Sequence, residues 1–415
     1  MRKLLLSMAA LPLVIGGLSV SASADGINIL DNMKLKGEIR PRYENVDDGT
    51  TNANANAYTV RTKLAVTADL LGVDGLSATV GVISVNNFGS HEYNALDGRV
   101  YTDGTNPYAV VVDPQKAMLS NAEVNYKLGD TLLHAGRGQI NLDNQRFIGT
   151  VGWRQLERSY DSVFVANDSV KNLSLLAAWV YGYQGITAAD TTDTNTVILH
   201  AAYTVMPELK VTMYDYMVAN THDTYGIALT GKVDTSIAKL NYRAEYAKQS
   251  DATMEIGTQT PTTGKADAYY YNLDLGANVN GVLAGVNYEF LSGESGSKTA
   301  FSTPLATAHK FNGWADKFLA TPSGGLKDLN VRLGYTAKGF GKLLVVYHDF
   351  TADTNGNTTD DLGSEFDAIY TNKIPGVNNL TGLLKYANYS KGTAVGYTND
   401  VQKIWVGLDY KFAMK

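Results

Sequence analysis

Apolar and polar side chains alternate along much of this chain in segments of roughly ten residues, the period-2 pattern that a β-strand sorts onto two faces. Residues 33–43 set Leu35, Gly37, Ile39, Pro41 and Tyr43 against Lys36, Glu38, Arg40 and Arg42. Residues 58–70 set Tyr58, Val60, Leu64, Val66, Ala68 and Leu70 against Arg61, Lys63, Thr67 and Asp69. The pattern returns at 237–247, 267–278 and 401–412, where Ile404, Val406, Leu408, Tyr410 and Phe412 oppose Lys403, Asp409 and Lys411. Weaker copies fall at 76–85, 117–128, 132–137, 153–165, 172–183, 195–205 and 209–218. Others fall at 224–233, 282–291, 328–337, 342–350, 364–371 and 380–389. The chain is therefore expected to be all-β, with about 18 strands. The apolar faces of the clearest segments carry no charge. Lipid demands that, because Arg or Lys there costs about 2–4 kcal/mol at mid-depth.

The connections alternate in length. Long polar stretches at 44–57, 86–116, 138–152, 184–194, 248–266, 292–327, 351–363 and 390–400 take turns with short ones. The short ones include 71–75, 129–130, 206–208, 234–236, 279–281 and 338–341, and 219–223 is a short member of the long set. A transmembrane antiparallel up-and-down β-barrel imposes this parity, with turns at one rim and loops at the other. A soluble sandwich does not. Tyr410 and Phe412 place aromatics on the outer face of the last strand, as bacterial barrels commonly do, and Ala413, Met414 and Lys415 trail beyond them.

Composition narrows the class further. Arg2 and Lys3, the apolar stretch 4–20 and Ala22-Ser23-Ala24 predict a cleaved secretory signal over 1–24, followed by one barrel domain over 25–415. Losing those two cations takes the formal charge from -6 to -8, with no basic excess for nucleic acid. The chain has no cysteine, which excludes disulfides, thiolate zinc sites and a cysteine nucleophile. Tyrosine dominates the aromatics, 26 against 11 Phe and 4 Trp, and its apolar ring with a polar tip suits a membrane boundary. Enzyme and metal motifs are missing: there is no HExxH, GxSxG or phosphate-binding loop. Asp353, Asn355 and Asn357 alternate like a calcium loop, but Gly356 and Glu365 are out of EF-hand register.

Arginine clusters early, at Arg40, Arg42, Arg61, Arg99, Arg137, Arg146, Arg154 and Arg158, followed by Arg243 and Arg332. With Lys63, those on polar strand faces point into the lumen and would draw anions through a fork that fits carboxylate and phosphate. The competing reading pairs them with lumen acids such as Glu38, Glu123, Asp161, Glu245 and Glu289 to brace the wall. Two loop segments differ from ordinary loops. Residues 136–161 include Asn141, Asp143, Asn144 and Gln145, and 303–328 include His309, Lys310, Trp314, Asp316 and Lys317. Aromatics beside charges suggest loops folded inward to form a constriction.

Across 137–161 and 309–329, including INLDNQRFIGTVGWRQ and HKFNGWADKF, the sequence resembles the alginate-export-type outer-membrane barrels. That resemblance implies an 18-stranded porin-like fold. It also implies an arginine-rich constriction, for which Arg137, Arg146, Arg154 and Arg158 are the similar positions. The expected function is an outer-membrane channel for passive passage of small or polymeric hydrophilic solutes, favouring anions. Expected partners are outer-membrane lipids, lipopolysaccharide, the barrel assembly machinery and the solutes themselves. No cofactor, nucleic acid or catalysis is expected, and the chain is expected to act as a monomer in a Gram-negative outer membrane. Two alternatives stay open: a structural surface barrel plugged by its loops, and a barrel-embedded hydrolase.

Overall fold

The computed structural model describes residues 29–99, 105–257, 264–354 and 359–414. The expected signal at 1–24 and residues 355–357 of the oxygen-rich motif lie outside them. Strands β1–β6 are Leu30–Asp47, Ala55–Leu70, Leu76–Glu92, Ala117–Leu128, Thr131–Gly138 and Ser159–Asn167. Strands β7–β12 are Leu173–Gln184, Thr192–Met206, Leu209–Val218, His222–Asp234, Lys239–Ser250 and Tyr269–Val279. Strands β13–β18 are Val282–Leu291, Leu326–Ala337, Gly341–Thr351, Asp361–Lys373, Leu380–Lys391 and Val401–Met414. Each pairs antiparallel with the next, and β1 closes the ring on β18 from Leu35↔Met414 to Asp47↔Gln402. The fold is a closed 18-stranded up-and-down β-barrel.

Closure removes every sheet edge, which a lipid solvent requires of a β-structure. The side-chain faces are inverted relative to a soluble protein. Val82, Leu199, Met213, Leu275, Val331 and Val406 point outward and are exposed, while Arg42, Glu44, Arg61, Glu289 and Asp367 point inward at 3 % exposure or less. Exposed aromatics gather at both rims: Tyr58, Trp179, Tyr225 and Tyr246 toward the loops, Tyr203, Tyr335, Phe340 and Tyr410 toward the turns. Such girdles mark the two membrane–water boundaries.

The turn rim is tight. Between β12 and β13 only Asn280 and Gly281 remain, with φ of 51° and 90°, the paired left-handed conformation of a two-residue hairpin turn. The loop rim is uneven. Strands β1–β3 run 18, 16 and 17 residues, more than the roughly 9–11 a spanning strand needs. Their outer ends bury Val46, Ala55 and Ala57 against Tyr93, Ala109 and Val111 of the loop after β3. Strands β5 and β6 have only 8 and 9 residues, because the 139–158 loop leaves the wall there and turns inward. The strand expected over 153–165 accordingly starts at Ser159. Ile140, Phe147 and Ile148 of this loop pack with Phe301, Leu305 and Phe318 of the 292–325 loop, so part of the apolar core sits inside the barrel.

Candidate functional site

An irregular segment inside a barrel carries carbonyls that no strand ladder satisfies, and arginine's fixed fork of donors answers that need. Arg40 on β1 donates to Gln155 Oε1 at 3.0 Å, to the Gly152 carbonyl at 3.1 Å and to the Arg154 carbonyl at 2.5 Å. Arg42, two residues along the same face, donates to the Trp153 carbonyl at 2.6 Å and to Asp113 at 2.5 Å. On β2, Arg61 and Lys63 both hold Glu157, the lysine at 2.9 Å. Burial alone would raise the Glu157 carboxyl, but Arg61 and Lys63 override it and hold it at about 2. One lobe of the 139–158 loop is thereby pinned to β1 and β2.

The other lobe crosses to the far wall. Arg146 meets Glu289 of β13 at 2.8 Å and Asn312 at 3.0 Å, and the Tyr270 hydroxyl donates to the same Glu289 at 2.9 Å. Phe147 inserts among Tyr214, Tyr216, Tyr270 and Phe301 with ring centroids 5.3 to 6.2 Å away. Asp143 accepts from His200 of β8 at 2.9 Å. Asn141 accepts from the backbone N–H and hydroxyl of Thr150, which shapes the loop internally.

The 292–325 loop reaches inward from the opposite side. Its Trp314 and Ala315 N–H groups donate to Asp367 at 3.1 Å and Glu365 at 2.6 Å on β16. Gly313, immediately before these contacts, has φ of 85°, and a Cβ there would stand 2.3 Å from the Glu365 carboxylate. Asp316 binds His309 at 2.5 Å, Lys403 at 2.8 Å and Arg154 at 3.1 Å. Burial would raise the Asp316 carboxyl, but His309, Lys403 and Arg154 hold it well below the usual carboxylate range. Burial pushes the His309 imidazole down to about 3 despite Asp316, so the ring is neutral at ordinary pH.

The two loops are stitched together. Gly149 N–H donates to the Leu305 carbonyl at 2.9 Å, Thr307 N–H to the Gln145 carbonyl at 3.0 Å, and Val151 N–H to the Thr307 hydroxyl at 3.1 Å. Arg158 reaches the Pro304 carbonyl at 3.1 Å, and Lys310 reaches the Asn144 carbonyl at 2.9 Å. They form one narrowing body across the lumen. Below it, a recess of about 670 Å³ opens among Lys36, Glu38, Lys63, Glu123, Gln139 and Lys411.

The chain matches no family model and no curated protein. Solved structures do match. OccAB4 of Acinetobacter baumannii is 15% identical with a TM-score of 0.72, covering 93% of this chain and 99% of that one. OpdK of Pseudomonas aeruginosa, solved with vanillate, is 13% identical with a TM-score of 0.72, covering 93% and 100%. OccK8 (OprE) of Pseudomonas aeruginosa is 14% identical with a TM-score of 0.71, covering 94% and 100%. The barrel shares the fold of these Occ and Opd structures. At these identities the likeness establishes the fold.

Within that fold the arginines anticipated as pore-lining are heavily engaged. Arg137 grips Asp161 through two bonds of 2.7 Å, Arg243 meets Glu245 at 2.8 Å, and Arg332 grips Asp274 at 2.6 and 2.7 Å. Arg154 bonds both oxygens of Glu44 at 3.0 Å. Glu38 lies 3.7 Å from Arg40 and 3.5 Å from Arg61, and Glu123 lies 3.9 Å from His134. Lys317 sits over the Tyr389 ring at 5.3 Å. Among the described residues, Lys36, Arg158 and Lys310 form no ion pair with a carboxylate. Sequence reasoning missed Glu44, Asp113, Glu157, Lys385 and Trp405. Glu44 and Trp405 lie on the inward parity already assigned to Arg42 and Lys403, so extending those faces by two residues would have found them.

Proposed function

We propose that this protein is an outer-membrane channel of a Gram-negative bacterium that passes small hydrophilic solutes by diffusion and favours anions. One observation carries the preference. Of the acids beside the narrowing, Glu38 and Glu157 pair with Arg61, Asp143 with Lys210 and Asp161 with Arg137, Glu123 has only His134, and Glu365 is buried against Gly313, whereas Lys36, Arg158 and Lys310 have no carboxylate. The unmatched positive charge raises the local concentration of anions in a low-dielectric passage. The structural likeness to OpdK, solved with vanillate, supports a small carboxylate-bearing solute. The resemblance of 137–161 and 309–329 to alginate-export-type barrels keeps acidic polymers among the candidates.

The test is flux into liposomes carrying the mature protein, comparing a small organic anion with a cation of equal size. The parent is expected to pass the anion several-fold faster, and Lys36→Gln, Arg158→Gln and Lys310→Gln together to erase the difference. Equal rates in the parent would overturn the preference. A second reading, a structural barrel plugged by its loops, draws on the apolar contacts of Phe147 and Ile148 with Phe301 and Leu305 inside the lumen. That barrel would pass neither ion.

A further inference from the structure

Lys385 projects from β17 into the barrel and is 3 % exposed. A buried ammonium is costly unless paired. Its hydrogen-bond acceptor is not a carboxylate but the His309 Nε2, at 2.7 Å. Asp367 and Asp316 act on it electrostatically from farther off, and its other close neighbours are rings. The ammonium lies 4.0 Å from the Trp153 centroid, 4.0 Å from Trp314 and 5.1 Å from Trp405. Three of the chain's 4 tryptophans enclose one charge. The faces of desolvated indole rings stabilise a cation better than other aromatics do.

The cage is assembled from separate elements. Trp153 belongs to the 139–158 loop, Trp314 and His309 to the 292–325 loop, Trp405 to β18 and Lys385 to β17. Trp153 stacks on His309 at 4.9 Å and 10°, and Trp405 meets both edge-on at 5.7 and 5.8 Å. Neutral His309 can accept from Lys385 at Nε2 while its Nδ1–H donates to Asp316 at 2.5 Å. Asp316 in turn binds Arg154 and Lys403, so the charge at Lys385 is wired to both loops and to β18.

We propose that Lys385 is the positioning residue of the narrowing, a caged ammonium that holds both inward loops against β17 and β18 so that they gate the lumen as one body. The consequence for conduction rests on the channel reading above. The holding of the loops does not.

The test substitutes Lys385→Met, which keeps the length and apolar stem but removes the charge. Trp314→Leu is a second variant, lying in a loop and outside the barrel wall. Folding is verified by the compact electrophoretic mobility of unheated barrels. Limited trypsin digestion then reads the loops at Arg154, Arg158, Lys310 and Lys317, and planar-bilayer recording reads the passage. Both variants are expected to be cut in the loops at least tenfold faster than the parent and to give larger, noisier steps. Unchanged protection and unchanged steps in folded variants overturn the clamp. Faster cutting without steps from parent or variants keeps the clamp and removes the channel. If Lys385→Met does not fold, Trp314→Leu decides by the same two readings.

Discussion

A lumen arginine can attract a solute or tie down the chain, and its immediate neighbours decide which. Arg40 spends its donors on three groups of the 139–158 loop, and Arg61 and Lys63 converge on Glu157. Their inward direction was legible from the alternation in 33–43 and 58–70. Their targets were not, because Gln155 and Glu157 are about a hundred residues away and only the loop's path brings them together. Glu157 gives this tie a pH signature. Its carboxyl is held at about 2 in the pinned loop against 4.5 for a free one. Between those values a released loop takes up a proton that the pinned loop refuses, so the anchorage is full above pH 4.5 and weakens as pH falls toward 2. Hydrogen exchange across 139–158, corrected for intrinsic rates, should therefore rise through this window in the parent. Glu157→Gln should lose about 3 kcal/mol of anchorage at neutral pH and show no such window. Equal pH dependence in the two proteins would contradict the assignment.

At the scale of elements, period-2 alternation located strands well because lipid and lumen impose opposite demands on successive residues. The strands expected at 117–128, 209–218 and 282–291 have those same bounds in β4, β9 and β13. The miss at 153–158 is instructive. Trp153 and Leu156 are apolar three residues apart, with Arg154 and Gln155 between them, so the alternation is already broken there, and the backbone and side chains of 153–157 bond to β1, β2 and Asp113 rather than to a neighbouring strand. Tertiary hydrogen bonds outweigh local propensity there. The lipid-facing assignment of β14 makes a further prediction. Val331 is 52% exposed between Val286 and Tyr347, with Leu329 and Leu333 on the same face. Val331→Arg should destabilise the barrel in bilayers by about 2–4 kcal/mol, measured by urea unfolding from lipid vesicles. A change below about 0.5 kcal/mol would mean this face does not meet the hydrocarbon core.

For the whole molecule, the barrel is a closed frame and the two inward loops narrow its lumen. The frame was readable from loop parity and strand faces. The narrowing was readable only as two unusual segments, because its geometry depends on contacts between 139–158, 292–325 and four separate stretches of wall. Under the proposed function, a water-filled, anion-favouring path persists past those loops. Planar-bilayer recording of the refolded mature protein under a salt gradient tests it most directly. Discrete conductance steps with a reversal potential toward anions are the predicted result. Steps that reverse toward cations would contradict the charge argument, and folded protein without steps would contradict the channel itself.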